Sequence, residues 1–372
     1  MHFTVSKSAL LKELNLVQGV VERKNTIPIL SHLLLESVTG GISIKGTDLD
    51  VSLTTQCEAE VKEEGSICLQ AKKLFEIVRS LPEAEIEIKV EDGEQVKISC
   101  LKSRFKMVGL GKDNFPEIKT LEADTVRLPA SLLATFIGRT QFAITNEESR
   151  YALNGAKFEI STEGVRMIAT DGHRLSFIQK QDKFYEGETI DVLIPRKTLN
   201  ELARLAAESD GTVEFAKDDN HLYFKVGKRL LSSRRLSGQF PNYELVLPKN
   251  NEHRAKVDAN VIASAIRRVA LMADERSHSV KLEAASHEGS SGSLKISSQA
   301  AEVGESHDEI ALDYSGPDIT AGFNAQYLLD FFTVISDGEV YLEFKDGNSQ
   351  VQLKSGTENE YDFRYIVMPM RI

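Results

Sequence analysis

The residues best suited to chemistry lie in one short polar segment, Asp171-Gly172-His173-Arg174. A histidine between a carboxylate and a guanidinium could act as a general acid or base, because its ordinary pKa lies near neutral pH. The same residues are also typical of a polar turn between two strands. The residues alone favour the turn over a catalytic cluster.

Other patterns that mark enzymes are missing. Gly111-Lys112 and Gly227-Lys228 lack the earlier glycine and the following Ser or Thr of a P-loop, and the eight histidines show no HExxH or HxH spacing. No GxSxG occurs, and no spaced set of carboxylates stands out as a two-metal site. We therefore predict no catalytic residue, no metal site and no cofactor, with a metal-dependent nuclease as the enzyme alternative.

Length and composition indicate a globular protein of several domains. A chain of 372 residues is longer than one ordinary domain with a single core. Its composition, with 41% hydrophobic and 27% charged residues, is typical of a soluble globular protein. No apolar run is long enough for a leader peptide or a membrane span, which predicts a cytoplasmic protein without membrane contact. Cys57, Cys68 and Cys100 show no CxxC spacing, so we expect reduced, structural thiols.

The formal net charge of −11 argues against a protein that coats nucleic acid with its whole surface. A protein that is acidic outside and basic on one inward face could still hold a polyanion, because local potential governs such contacts.

The chain repeats a long unit three times. Residues 5–10, 128–133 and 257–262 each read as a strand end, a turn and the start of a helix, at offsets of 123 and then 129 residues. Gly46-Thr47-Asp48-Leu49 matches Ala169-Thr170-Asp171-Gly172 at the first offset, with a weaker echo at Ile296-Ser297-Ser298.

The elements that position these residues follow from periodicity. Apolar residues three and four apart predict second helices over 72–81, 196–207 and 325–336, and alternating strands around polar turns predict hairpins over 86–99, 213–226 and 340–353. Strands over 33–37, 42–46 and 49–57 show that the first unit is itself doubled, and the Ser- and Gly-rich residues 286–293 predict a mobile hairpin loop. We therefore predict an α+β fold of three tandem domains, 1–122, 126–250 and 254–372, each a doubled strand–helix–three-strand unit.

Seven stretches resemble the beta sliding clamp family of bacterial DNA polymerase III, and the similarity covers nearly the whole chain. They are Thr26-Ile27-Pro28-Ile29-Leu30, Gly46-Thr47-Asp48-Leu49, Arg150-Tyr151-Ala152-Leu153-Asn154-Gly155, Ala169-Thr170-Asp171-Gly172-His173-Arg174-Leu175, Pro195-Arg196-Lys197, Phe240-Pro241-Asn242-Tyr243 and Tyr365-Ile366-Val367-Met368-Pro369-Met370-Arg371-Ile372. The resemblance implies three tandem clamp domains in a head-to-tail homodimeric ring, with helices lining the hole and sheets forming the rim. It implies a non-catalytic processivity factor that slides on double-stranded DNA without reading sequence.

On this resemblance, basic residues on helices or their entry loops are the candidates for phosphate contacts. They are Arg23, Lys24, Lys72, Lys73, Arg79, Arg139, Arg150, Arg196, Lys197, Arg204, Arg267 and Arg268. The alternative for any one of them is a solvated helix face. The sixth helix carries Asp330 and neither Lys nor Arg, so we expect an uneven lining.

The family also docks short apolar-aromatic peptides of its partners, namely the polymerase III alpha subunit, the clamp loader, and repair and translesion polymerases, between the second and third domains. By resemblance the groove here comprises Leu153, Thr170, Gly172, His173, Arg174, Leu175, Pro241, Val246, Asn324, Tyr327, Ile366, Val367, Met368, Pro369, Met370 and Arg371. Two methionines around a proline form a pliable apolar surface that accepts different ligands, although Met368 and Met370 could instead cap the last core. A peptide-binding scaffold that does not act on DNA stays as a second alternative.

The resemblance implies a dimer seam between different surfaces of the two copies. Phe105 and Met107 of one copy are expected to meet Leu271 and Met272 of the other, with Lys72 and Lys73 facing Glu302 and Glu305. Phe105 could otherwise be an ordinary buried strand residue.

Overall fold

The repeated unit is visible in the order of the elements. The computed structural model describes residues 1–21, 27–121, 124–147, 149–287, 290–301, 304–356 and 360–371. Across these residues a strand, a helix and three strands follow one another six times, twice in each third of the chain. The α+β class and the doubled unit are confirmed.

The first third carries one short charged strand, β5, in addition to the repeat. Its elements are β1 (His2–Ser6), α1 (Lys7–Val17), β2 (His32–Val38), β3 (Gly41–Thr47), β4 (Val51–Glu58), β5 (Glu60–Glu63), β6 (Ser66–Gln70), α2 (Ala71–Ser80), β7 (Glu85–Val90), β8 (Gln95–Cys100) and β9 (Ser103–Val108). Those of the middle third are β10 (Val126–Pro129), α3 (Ala130–Thr140), β11 (Gly155–Ser161), β12 (Gly164–Thr170), β13 (Arg174–Lys180), β14 (Ile190–Pro195), α4 (Arg196–Ala207), β15 (Thr212–Lys217), β16 (His221–Val226) and β17 (Arg229–Arg234). Those of the last third are β18 (His253–Asp258), α5 (Ala259–Ala270), β19 (Ser279–His287), β20 (Ser290–Ala300), β21 (Gly304–Leu312), β22 (Ile319–Asn324), α6 (Ala325–Val334), β23 (Glu339–Phe344), β24 (Val351–Ser355) and β25 (Asp362–Val367).

The three second helices and the three hairpins form where the periodicity predicts them, with ends that differ by at most two residues for the helices. The prediction of a hairpin loop over residues 286–293 is wrong for most of that segment. Strand β19 continues to His287 and β20 already begins at Ser290, and Ala285 pairs with Ser293. The hydrogen bonds of the ladder come from the backbone, so small polar side chains do not prevent the pairing.

Helix α6 shows how the sequence sets an element next to the candidate site. The side chain of Asn324 accepts hydrogen bonds from the N–H groups of Gln326 and Tyr327, at 2.8 and 3.3 Å, and so caps the first turn. Leu328 and Phe331 lie one turn apart on the buried face. The cap and the apolar face together fix where the helix begins and which side points inward.

The chain divides into two compact units, and each combines half of the middle third with an outer third. Unit 1 comprises residues 1–134 and 194–235. It holds a five-stranded sheet, β5–β1–β7–β8–β9, and an eight-stranded sheet, β10–β15–β16–β17–β4–β3–β2–β6. Within it Glu13 is buried and accepts hydrogen bonds from Arg229 at 2.7 and 2.9 Å.

Unit 2 comprises residues 135–193 and 236–372 and contains the candidate groove. Its eight-stranded sheet has the order β14–β11–β12–β13–β25–β24–β23–β18, and its four-stranded sheet the order β21–β20–β19–β22. The pairing of β13 with β25 places Leu175 opposite Ile366. The predicted domain limits, 1–122, 126–250 and 254–372, stay a prediction, because the compact units are built from halves of the repeat.

Candidate functional site

The segment from Thr170 to Arg174 is a hydrogen-bonded turn that joins β12 to β13. The carboxylate of Asp171 accepts the N–H groups of His173 and Arg174 at 2.9 and 3.0 Å, and the hydroxyl of Thr170 accepts the N–H of Gly172 at 3.1 Å. Gly172 has a φ of +90°, a conformation that other residues rarely adopt. The interpretation of these residues as a polar turn is therefore confirmed.

Arg174 points from this turn into the interior and is almost fully bonded. Its guanidinium donates to Asp171 at 3.0 Å, to Asp330, to the hydroxyl of Tyr365 at 3.3 Å and to the carbonyl of Phe142 at 2.6 Å. These partners come from four separated parts of the chain. Arg174 therefore connects the turn, the short 3-10 helix Gln141–Ala143, α6 and β25.

The charge of Arg174 is stabilised by its surroundings. Burial alone would lower its pKa, but the interactions with Tyr365, Asp330 and Asp171 outweigh burial and raise the pKa. The guanidinium also lies 4.4 Å from the centre of the Tyr327 ring, a favourable cation–π contact. For Tyr365, burial is the main cause that raises the pKa, so its hydroxyl stays protonated.

An apolar groove of about 120 Å³ opens directly above this cluster. Its lining residues are Leu153, Thr170, Gly172, Arg174, Leu175, Pro241, Tyr243, Val246, Ile366 and Met368. Nine of the ten are predicted groove residues, and Tyr243 is the one that the prediction missed. The motif Phe240-Pro241-Asn242-Tyr243 was the signal that could have found it.

Below the groove lies a cluster of buried side chains that sets its floor. Ile168, Leu175, Phe177 and Ile366 belong to this cluster, and Leu153 packs against it from the rim. An apolar floor with a few polar groups at the edge is the usual composition of a ligand-binding pocket.

The C-terminal tail forms one rim of the groove through two backbone hydrogen bonds. The N–H of Met368 donates to the carbonyl of His173 at 2.9 Å, and the N–H of Met370 donates to Gly322 at 2.8 Å. The side chain of Met368 is 41% exposed although it lines an apolar groove. The tail is thus held in place while its apolar side chain stays accessible.

The remaining predicted groove residues lie beside the cavity rather than in its lining. The ring of His173 stacks on that of Tyr327 with 6.4 Å between centres, which places both next to the tail. The side-chain oxygen of Asn324 caps α6, and its amide donates to Ser277. Val367 is buried in the β25 ladder, whereas Pro369, Met370 and Arg371 are at least partly exposed. Contact of this second group with a peptide stays a prediction.

The predicted DNA-binding residues fall into two groups. Lys72, Lys73, Arg79 and Arg267 are exposed on α2 and α5, and Arg196 is half-buried at the start of α4. Their ammonium and guanidinium groups are suited to non-specific contacts with phosphates. Arg23 and Lys24 lie outside the described residues.

Lys72 and Lys73 pair with Glu76 on their own helix, at 3.9 and 3.3 Å, whereas the predicted DNA-binding residues of the second group contact more distant parts of the fold or neighbouring loops. Arg150 bonds to Glu147 and to the carbonyl of Asp171, and Lys197 bonds to Asp48 and to the carbonyl of Val20. Arg204 bonds to Glu201 and to the carbonyl of Asn15, and Arg268 bonds to Asp308. The guanidinium of Arg139 lies over the rings of Tyr361 and Phe363. These interactions weaken the attraction that each of these residues can exert on a DNA phosphate. The role of all twelve residues stays a prediction.

The predicted seam residues lie on strands at sheet edges or close to them. In unit 1, β9 ends its sheet and presents Met107 buried and Phe105 half-buried. In unit 2, β21 ends its sheet and presents Glu305 exposed, and Leu271 after α5 is 79% exposed. Met272 lies against Gly304, and Glu302 lies outside the described residues. An edge strand offers unpaired backbone groups to a second chain.

Two further findings concern only the part of the chain that the structure describes. There, no three His, Cys, Asp or Glu side chains come together in a way that could hold a metal ion. No described helix combines the length and apolar character needed to span a membrane.

Comparisons with known proteins cover the whole chain. The models of the N-terminal, central and C-terminal domains of the DNA polymerase III beta subunit match residues 1–119, 127–242 and 244–371. The beta sliding clamp of Pseudomonas putida is 36% identical over 375 residues and that of Escherichia coli K12 is 32% identical over 378 residues, with 100% of each chain covered. The solved DNA polymerase III subunit beta of Pseudomonas aeruginosa has a TM-score of 0.92 at 34% identity, and a clamp from that organism bound to griselimycin has 0.93 at 35%, both over 100% of each chain.

Proposed function

Because the chain belongs to the DNA polymerase III beta subunit family, we propose that its groove is the docking site through which this sliding clamp holds its partners on DNA. As a member of that family it is a non-enzymatic processivity factor of DNA replication, a homodimeric ring that works with DNA and a DNA polymerase. We further propose that the groove binds partner peptides and that exposed basic residues face the DNA. We also propose that two edge strands form the seam between the copies and that the protein acts in the cytoplasm, where its replication partners are found.

The observation that carries the docking role is the apolar groove above Arg174. Its floor is buried, and its rim carries Met368, whose flexible thioether adapts to different side chains. Such a groove favours a short peptide with aliphatic and aromatic anchors over a charged or sugar ligand. The polymerase III alpha subunit, the clamp loader, and repair and translesion polymerases are the proposed owners of such peptides.

The exposed basic residues on α2 and α5 support contact with the phosphate backbone. Contacts that avoid base edges carry no sequence information, and a specific bidentate base contact, worth about 1–3 kcal/mol, would hold the ring at one site. Lys72, Lys73, Arg79 and Arg267 therefore suit a ring that slides.

The two edge strands support a head-to-tail seam between copies. β9 carries Phe105 and Met107 on one face and Arg104 and Lys106 on the other, whereas β21 carries Glu305. A basic edge and an acidic edge attract one another, and edge pairing would cover the unpaired backbone groups of both.

The experiment that tests enclosure uses the dimer loaded onto nicked circular DNA. We expect it to stay on the circle through gel filtration and to run off once a restriction enzyme cuts the circle. If the protein is retained equally on linear and circular DNA, it does not enclose DNA as a ring, and the alternative of a peptide-binding scaffold remains. Cleavage of DNA by the pure protein with Mg²⁺, lost on mutation of one carboxylate, would instead restore the nuclease alternative.

A further inference from the structure

A second and larger depression lies directly beside the groove, and we call it the side pocket. It is lined by Arg150, Tyr151, Ala152, Leu153, Ser237, Gly238, Gln239 and Pro241 and has a volume of about 470 Å³. Leu153 and Pro241 line both cavities. The two cavities therefore adjoin at these two residues.

One wall of the side pocket is an exposed aromatic ring on a fixed backbone. Tyr151 is 73% exposed, so its ring is open to a ligand. It begins a short 3-10 turn in which the N–H of Leu153 donates to Arg150 at 2.8 Å, and the N–H of Thr145 donates to Leu153 at 3.3 Å. The ring is therefore presented on a held turn.

Two small residues, Ala152 and Gly238, also line the side pocket. Gly238 has a φ of +110°, which strains any other residue, and a Cβ built there would lie 3.4 Å from the Cβ of Ala152. Larger side chains at either position would occupy part of the side pocket.

Arg150 closes the end of the side pocket that faces the polar turn. Its NH1 group donates to the carbonyl of Asp171 at 2.9 Å, and its Nε lies 2.9 Å from Glu147 in an exposed ion pair. The guanidinium is thus held in the lining of the side pocket, where an aromatic ligand could also meet a cation.

We propose that the side pocket binds an aromatic side chain of the partner peptide, at the position next to the residue that anchors in the groove. The aromatic ring of the peptide stacks on Tyr151 and packs against Pro241. Partners that share the same anchor residue in the groove then differ in affinity according to whether they carry this ring. This assignment rests on the proposed docking role of the groove. An exposed ring on a hydrogen-bonded turn, a proline, an arginine and an absent side chain at Gly238 together favour a flat aromatic group over an aliphatic one.

The test compares labelled short peptides that share one Leu-Phe anchor. Trp, Ser or Asp is placed directly before or directly after the anchor, and binding to the intact dimer is measured by fluorescence anisotropy. At one of the two positions the Trp peptide is expected to bind about three- to tenfold more tightly than its Ser counterpart. Tyr151→Ala removes that gain, and Tyr151→Phe keeps it because the ring remains. Leu245→Ala is the control, since Leu245 is exposed but lines neither cavity.

Each outcome distinguishes the side pocket from the groove. If no peptide binds, the docking role of the groove itself is overturned. If all peptides bind equally, the groove stands and the side pocket proposal is wrong. A Trp gain that survives in Tyr151→Ala places the aromatic group elsewhere, and a gain with Asp in place of Trp replaces the stacking proposal by a carboxylate on Arg150.

Discussion

The N–H of Met368 donates to the carbonyl oxygen of His173 at 2.9 Å, which ties the C-terminal tail to the turn between β12 and β13. The two residues are far apart in sequence but become neighbours because β13 and β25 pair along their whole length. Both rims of the groove therefore form only when unit 2 has folded. The groove therefore forms as part of the folding of unit 2.

Deletion of residues 368–372 is expected to abolish peptide binding and leave the fold intact. β25 ends at Val367, so the deletion removes one rim of the groove and no strand of the sheet. Anisotropy with a labelled Leu-Phe peptide measures binding, and sedimentation measures the dimer. Loss of the dimer together with binding would show that Met368 and Met370 cap the core, the alternative that the sequence left open.

Arg174→Lys is expected to lower the free energy of unfolding of unit 2 by about 2–3 kcal/mol. A lysine cannot reproduce the fork of donors to Asp171, Asp330, Tyr365 and Phe142, and it leaves buried acceptors without partners. Urea denaturation followed by far-UV circular dichroism gives the value.

The matched control for that change is Arg364→Lys in β25 of the same sheet. Arg364 bonds to Asp362 at 2.6 and 2.8 Å but is partly exposed, so the loss should stay below about 1 kcal/mol. Equal losses in the two variants would contradict the role given to the Arg174 cluster.

What the sequence predicts well is local. Helix α4 runs from Arg196 to Ala207 as its periodicity indicates, and the turn at Asp171 forms as its composition indicates. The partners of Arg174 could not be predicted, because Phe142, Asp330 and Tyr365 carry no local signal that connects them. Strand β5 was missed because Glu60–Glu63 is charged and depends on pairing with β1.

Arg267→Ala is expected to reduce the salt dependence of DNA binding more than Arg268→Ala. Both are exposed in the last turn of α5, but the guanidinium of Arg268 is bonded to Asp308 at 2.8 Å. Removal of one cation that pairs with a phosphate should lower the slope of log K against log salt by about 0.9. Anisotropy of a labelled duplex with the dimer, measured over a range of NaCl concentrations, gives both slopes. Identical slopes for the variants and the unchanged protein would remove Arg267 from the DNA-facing set.

The buried thiols of unit 1 predict a loss of stability at alkaline pH. Burial, aided by nearby carboxylates, raises the pKa of Cys57 and of Cys68 from about 9 to about 11. Because the folded pKa is raised, the stabilisation is complete below pH 9 and is lost as the pH rises towards 11. At about pH 10.5 the loss should be about 2 kcal/mol for each thiol.

The double variant Cys57→Ala, Cys68→Ala separates this effect from other alkaline titrations. Alanine at each position leaves a cavity whose cost does not depend on pH, whereas the raised tyrosine pKa values of unit 2 act equally in both proteins. Urea unfolding at about pH 7.5 and 10.5 should therefore show a smaller drop for the variant than for the unchanged protein. If the two drops are equal, the folded thiols lose their protons at the same pH as the unfolded ones, and their burial does not set the alkaline limit of unit 1.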